Sequence, residues 1–127
     1  MSGRFPGADT IEQFWDHLVQ GRDTVTRFSR EEDDPTFYEK VKRDPRYVRA
    51  RGMLKDPQLF DAALFDISQA DATVMDPQQR VFMELAWEAL KHAGHNASSF
   101  AGPVGVYAGM GNNFYYHYNV STNPGLI

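Results

Sequence analysis

Two stretches of the chain carry a helical pattern of apolar positions. Ile11, Phe14, Trp15, Leu18 and Val19 recur at three- and four-residue spacing, which predicts an amphipathic helix. Thr10 and Gln13 bracket its start as a capping box, the hydroxyl serving a free amide and the amide side chain reaching back, and Gly21 suits its end. The second stretch begins at Asp76-Pro77 and runs to Gly94. Asp76 is placed to cap it, Gln79 to complete the box, and Pro77 at the first position loses only an amide that had no partner. Phe82, Leu85, Ala86, Ala89, Leu90 and Ala93 mark one face, while Val81, Met83 and Trp87 make other faces apolar. A helix apolar on several sides is expected to be buried. Ser68-Gln69-Ala70-Asp71 is a further capping signature, opening a short helix to about Val74.

Val104-Gly105-Val106-Tyr107-Ala108-Gly109, between Pro103 and Gly111-Asn112-Asn113, reads as a buried strand. Residues 22 to 59 are polar, punctuated by Pro35, Pro45 and Pro57, and read mostly as loop with a turn or two of helix around Phe37 to Lys42. A connection this long is often functional or packed as a lid. The end of the chain, from Asn112, is aromatic and Asn-rich without a clear period.

Composition narrows the chemistry. The chain has 127 residues, 42% of them hydrophobic and 13% aromatic, enough for a packed core. A net charge of -4 is too mild to argue for nucleic acid or a membrane as partner. No apolar run approaches the roughly 20 residues that cross a bilayer, and the start has no apolar signal core, so a cytoplasmic protein is expected. There is no cysteine, which removes disulfides, thiolate metal sites and any thiol nucleophile within this chain. His92 and His95 are separated by the Gly94 break, which spoils the register needed to aim both rings at one ion, and no metal site is expected. His92 fits better as a cation at a helix C-terminus. Asp76 and Arg80, one turn apart, are expected to be structural, Arg80 pairing with Asp76 or Glu84.

The most distinctive charge pattern is a basic run, Lys40, Lys42, Arg43, Arg46, Arg49 and Arg51, following the acidic Glu31 to Asp34. These charges can pair among themselves as a solvated loop, or they can form a docking surface for an acidic partner.

Ser2 to Ala8, Phe14-Trp15, Gly21-Arg22-Asp23, Arg51-Gly52, Phe60-Asp61, Met75 to Arg80, Trp87-Glu88-Ala89-Leu90 and Gly105 to Gly109 occur in an order and spacing that resemble the ketosynthases of modular polyketide synthases. The resemblance covers nearly the whole chain. It implies part of the thiolase fold, an α/β architecture of stacked sheets between helix layers, usually in a homodimer. The implied chemistry is decarboxylative condensation, in which a cysteine takes an acyl chain from the phosphopantetheine arm of a carrier protein and two histidines assist attack on it by a malonyl-type extender. None of those catalytic groups falls on residues 1–127. The first strand of the family is expected to precede Met1 and the nucleophile to follow Ile127, so the chain is expected to be a partial domain, inactive alone and binding no cofactor directly. Its expected partners are an acyl carrier protein, with the basic run as docking surface, and the remainder of the ketosynthase domain. The alternative is a non-catalytic module that binds a carrier protein or completes a partner chain. Leu64 and Asp66 stand where the family more often has Phe and Gly.

Overall fold

A computed structural model describes residues 1–29, 43–96 and 98–126. Its contacts divide the chain into two units, Arg4–Lys55, and Met1–Gly3 together with Asp56–Ile127.

The Arg4–Lys55 unit holds helix α1, Ile11–Val19, and a two-stranded antiparallel ribbon of β1, Thr26–Arg27, and β2, Ala50–Arg51. Thr10 Oγ1 accepts from the Gln13 amide at 3.2 Å, as the capping pattern predicts. Gln13 reaches back one residue further than expected, its Oε1 accepting from the Asp9 amide at 2.9 Å. Gly21, at φ +62, ends the helix, and the Arg22 amide returns to the His17 carbonyl at 2.9 Å. Phe5 and Phe14 stack with ring centroids 3.9 Å apart. In the ribbon, Thr26 lies opposite Arg51 and Arg27 opposite Ala50. The Phe28 amide extends the pairing to the Arg49 carbonyl. The stretch from 22 to 59 is otherwise mostly loop, and the expected helical turn around Phe37 to Lys42 lies outside the described residues.

The other unit carries a 3-10 turn, Ala63–Phe65, then helix α2, Gln69–Val74, and helix α3, Pro77–His92. Ser68 Oγ accepts from the Asp71 amide and Asp76 from the Gln78 amide, so both caps sit where the sequence puts them. Gln79 does not complete a box at Asp76. Gly94, at φ +76, closes α3, with the His95 amide bonded to the Leu90 carbonyl. A π-type turn at Tyr116–Val120 and a 3-10 turn at Pro124–Leu126 follow.

Two expectations are corrected. The run from Val104 to Gly109 is not a buried strand: it pairs with no other strand among the described residues, Val106 is 71% exposed and Tyr107 96%. An apolar run becomes a strand only where a neighbouring strand takes up its amides and carbonyls, and no such neighbour is present among the described residues. The second correction concerns α3, whose apolar faces are only partly covered, with Phe82 and Trp87 each 41% exposed. Among the described residues the buried apolar side chains are Ala8 in one unit, and Ala72 and Val120 in the other.

Candidate functional site

The ribbon brings part of the basic run together. Side chains alternate along a strand, and residues directly opposite share a face, so Arg49 and Arg51 lie on the same face as Thr26 and Phe28, while Arg27 and Ala50 lie on the other. The Arg51 guanidinium carbon stands 4.7 Å from the Phe28 ring centroid, and that of Arg49 5.2 Å from Tyr47. Aromatic faces attract guanidinium groups through their quadrupole, which orients both cations over rings.

Arg46 is differently engaged. Its backbone amide and Nε both donate to Asp44 Oδ1, at 2.9 and 3.1 Å, and its Nη2 donates to Oδ2 at 2.8 Å. The side-chain bonds from Arg46, followed by the amide bond, hold the Asp44 carboxyl below its ordinary value, and the same pairing raises Arg46. Arg43 is exposed. Lys40 and Lys42 lie outside the described residues.

Sequence reasoning missed Phe28, which the ribbon sets on the face of Arg49 and Arg51, and Arg27, which it sets on the opposite face. Their only signal was the β-branched Val25-Thr26 before them. Asp23 holds Arg27 at 2.9 Å and also accepts the Val25 amide at 2.9 Å. The Val25 amide first, and Arg27 second, lower the Asp23 carboxyl. These arginines, exposed or half-buried, are therefore oriented by rings and by two aspartates.

The second distinctive cluster lies at the start of α3. Asp76 is 3% exposed and its Oδ1 accepts from the Gln78 amide at 2.8 Å. Arg80, 9% exposed, donates from Nη1 to the Gln58 carbonyl at 3.3 Å and lies 5.5 Å from the Tyr115 ring centroid. Its Nε is buried without a hydrogen-bond partner. The expected structural role holds, but the partner differs, since Arg80 pairs with neither Asp76 nor Glu84. Tyr115 was invisible in the aperiodic aromatic tail. Among the described residues no group of three His, Cys, Asp or Glu side chains is placed to hold a metal. His92 contacts the terminal amine at 3.1 Å, and His95 packs edge-on against Phe100 at 5.1 Å. No helix among the described residues is long and apolar enough to cross a membrane.

The helices, the caps and the cluster at the start of α3 define a partial α/β unit of the thiolase-like ketosynthase class. Residues 1–126 match the family "Beta-ketoacyl synthase, N-terminal domain", and the chain belongs to that family. It is 40% identical over 108 residues to a phenolphthiocerol/phthiocerol polyketide synthase subunit of Mycobacterium tuberculosis, covering 84% of this chain and 7% of that one. It is 36% identical over 119 residues to polyketide synthase PksL of Bacillus subtilis, covering 91% of this chain and 3% of that one. Among solved structures, the ketosynthase from module 6 of the bacillaene synthase of Bacillus subtilis superposes with a TM-score of 0.63 at 35% identity, over 77% of this chain and 16% of that one. Ketosynthase twelve of the bacillaene polyketide synthase of Bacillus amyloliquefaciens gives 0.58 at 36% identity, over 69% and 16%. The chain thus spans less than a tenth of the length of these two polyketide synthases.

Proposed function

We propose that this chain is a portion of a polyketide-synthase ketosynthase whose complete domain joins carrier-bound acyl groups by decarboxylative Claisen condensation. The observation that carries this reading is the family match over residues 1–126, supported by the ordered motifs from Ser2 to Gly109. In that reaction a thiolate takes the acyl group from the carrier thioester. The extender then loses carbon dioxide, and the resulting enolate attacks the acyl-enzyme carbonyl, forming a carbon–carbon bond and releasing the thiolate. The steps need a thiol nucleophile and donors that stabilise the enolate and the oxyanion. A chain with no cysteine has no such nucleophile, so residues 1–127 are inactive by themselves and serve the remainder of the domain, in a parent that works as a homodimer. Incubation of the chain with acyl-carrier and malonyl-carrier protein gives no condensation product. Product formed without a second polypeptide would overturn the reading.

The ribbon favours a role in docking the carrier protein, the substrate arriving on its phosphopantetheine arm. Arg49 and Arg51 on one face, with Arg43, Arg46, Lys40 and Lys42 in the same run, offer a cationic surface to an acidic carrier. This same surface supports the alternative of a non-catalytic module that binds a carrier or completes a partner chain. Titration with fluorescently labelled carrier protein tests both. Binding that weakens with salt and with Arg49→Glu supports docking. No binding, or binding indifferent to that substitution, removes both the docking surface and the module that depends on it.

A further inference from the structure

The motif that starts α3 has a residue that neither the cap nor the proposed activity accounts for. Gln78 lies at the second position of the helix and is exposed. Its Oε1 accepts from the Gly111 amide at 3.1 Å. Its Nε2 lies 3.5 Å from both the Asn112 carbonyl and Asp76 Oδ2, two long contacts that share one amino group. The orientation of this amide is dictated by its surroundings. Turned over, it would set Nε2 against an N–H and Oε1 against two oxygens. A Cβ at Gly111 would stand 3.2 Å from Gln78 Oε1, so the side chain would have to shift slightly to keep the contact. Two further contacts hold the same stretch: Tyr115 Oη donates to the Thr73 carbonyl at 2.8 Å, and the Tyr115 ring lies beside Arg80.

We infer that Gln78 is a latch that fixes the segment 111–115 onto the start of α3 and so sets the direction in which the apolar run 104–109 leaves the helix. Asp76 steadies the latch from one side while capping the helix with its other oxygen. The inference does not depend on the proposed condensation activity.

The latch makes a demand that a helix-start role does not. Glu is at least as good as Gln in the first turn of a helix, where the dipole favours an anion. If Gln78 served only the helix, Gln78→Glu would be neutral or stabilising. As a latch, Glu keeps an acceptor for the Gly111 amide but sets its other oxygen against Asp76 and the Asn112 carbonyl, so Gln78→Glu is expected to lose stability instead. Amide hydrogen exchange resolved by NMR on the whole chain reads the difference. Gly109, two residues upstream, has no bonded amide among the described residues and serves as reference. After correction for intrinsic rates, the Gly111 amide is expected to exchange roughly five- to tenfold more slowly than Gly109, matching one hydrogen bond of ordinary strength. In Gln78→Ala that protection falls to within about twofold of Gly109, with α3 amides unchanged. Gln78→Met, which keeps a long helix-forming side chain without the acceptor, also loses protection at position 111, and it decides the matter if Gln78→Ala weakens α3 itself. Equal exchange at 109 and 111 in the parent, or retained protection in Gln78→Ala or in Gln78→Met, overturns the latch.

Discussion

Asp76, which caps α3, and Arg80, four residues on, are both buried and do not form an ion pair. Spacing alone favours one. Here the Asp76 carboxylate turns toward the Gln78 amide at the helix start, while the Arg80 guanidinium turns toward the Gln58 carbonyl and the Tyr115 ring. The free N–H groups of the first turn compete for the carboxylate and win, because capping satisfies donors that have no intrahelical partner. Arg80 is left holding a loop carbonyl, with Nε unpartnered.

The first prediction concerns these two side chains. Asp76→Asn retains the cap and is expected to change stability little, whereas Asp76→Ala loses it at a cost of about 1 kcal/mol. Arg80→Lys gives up the planar group that lies beside Tyr115 and the directed bond to Gln58, costing about 1–2 kcal/mol. Arg80→Met removes a buried charge with an orphaned donor and is expected to be better tolerated than Lys, within about 1 kcal/mol of the parent. Urea denaturation followed by far-UV circular dichroism orders the four variants. Lys tolerated better than Met would mean that the charge itself is required.

A second prediction follows from Asp23 and Asp44. Both carboxyls lie below their ordinary value in the folded chain, Asp23 through the Val25 amide and Arg27, Asp44 through Arg46. A group whose folded pKa is depressed contributes stability above its unfolded pKa and loses it as pH falls through the folded pKa. The ribbon ends are therefore expected to loosen on acidification below the ordinary carboxylate range. Carbon-detected NMR titration of the two carboxyls reads this directly, and Arg46→Gln is expected to return Asp44 toward its ordinary value. Asp23 is exposed and Asp44 half-buried near the surface, so the change is local.

What was legible in the sequence, and what was not, divides by the range of the interaction. Thr10, Ser68 and Asp76 mark helix starts because a cap is decided within three residues. Gly21 and Gly94 mark helix ends for the same reason. The ribbon escaped because Thr26 and Arg51 meet across a long polar stretch with no alternating pattern. Tyr115 escaped likewise, since nothing near it in sequence shows that it reaches Thr73 and Arg80. The apolar character of 104–109 was read correctly, but burial is a property of partners, and the run itself does not name them. Of the docking surface, the arginines were visible as charge, while their arrangement over Phe28 and Tyr47 needed the ribbon.

The exposed apolar run carries a third prediction. Val104, Val106 and Tyr107 are 54%, 71% and 96% exposed, and Trp87 and Phe82 remain partly open. At roughly 25 cal/mol per Å2 of apolar surface removed from water, covering several such side chains is worth several kcal/mol, comparable to the stability of a small domain. The chain alone is expected to associate with rising concentration and to bind a hydrophobic dye. Val106→Lys, on a side chain that packs against little, is expected to reduce association without lowering helix content. Sedimentation velocity over a concentration series checks it, and a sharp monomeric boundary throughout would contradict the expectation.

The last prediction uses backbone conformation alone. Asp66 sits at φ +55, a left-handed conformation, closing the 3-10 turn Ala63–Phe65 through its amide to the Ala63 carbonyl at 3.2 Å. Glycine adopts that conformation without a Cβ clash, while other L-residues meet a penalty of about 1–2 kcal/mol, softened for Asp and Asn. This conformation is one that suits the glycine expected at the position from the resemblance to ketosynthases. Among the described residues the Asp66 side chain makes no hydrogen bond that the substitution would lose, so Asp66→Gly is expected to be neutral or to stabilise by up to about 1 kcal/mol, the relief partly offset by greater freedom in the unfolded chain. Gly21 presents the converse at φ +62, where an added Cβ would meet no atom within 4 Å, so crowding plays no part there. Gly21→Ala is expected to cost about 1 kcal/mol from conformation alone, and Gly21→Asn less. At Gly7, φ +72, a Cβ would also stand 3.2 Å from the Thr24 side chain, so Gly7→Ala is expected to cost more than Gly21→Ala. Thermal denaturation of the four single variants tests the order, and Gly7→Ala proving milder than Gly21→Ala would show that Thr24 yields freely.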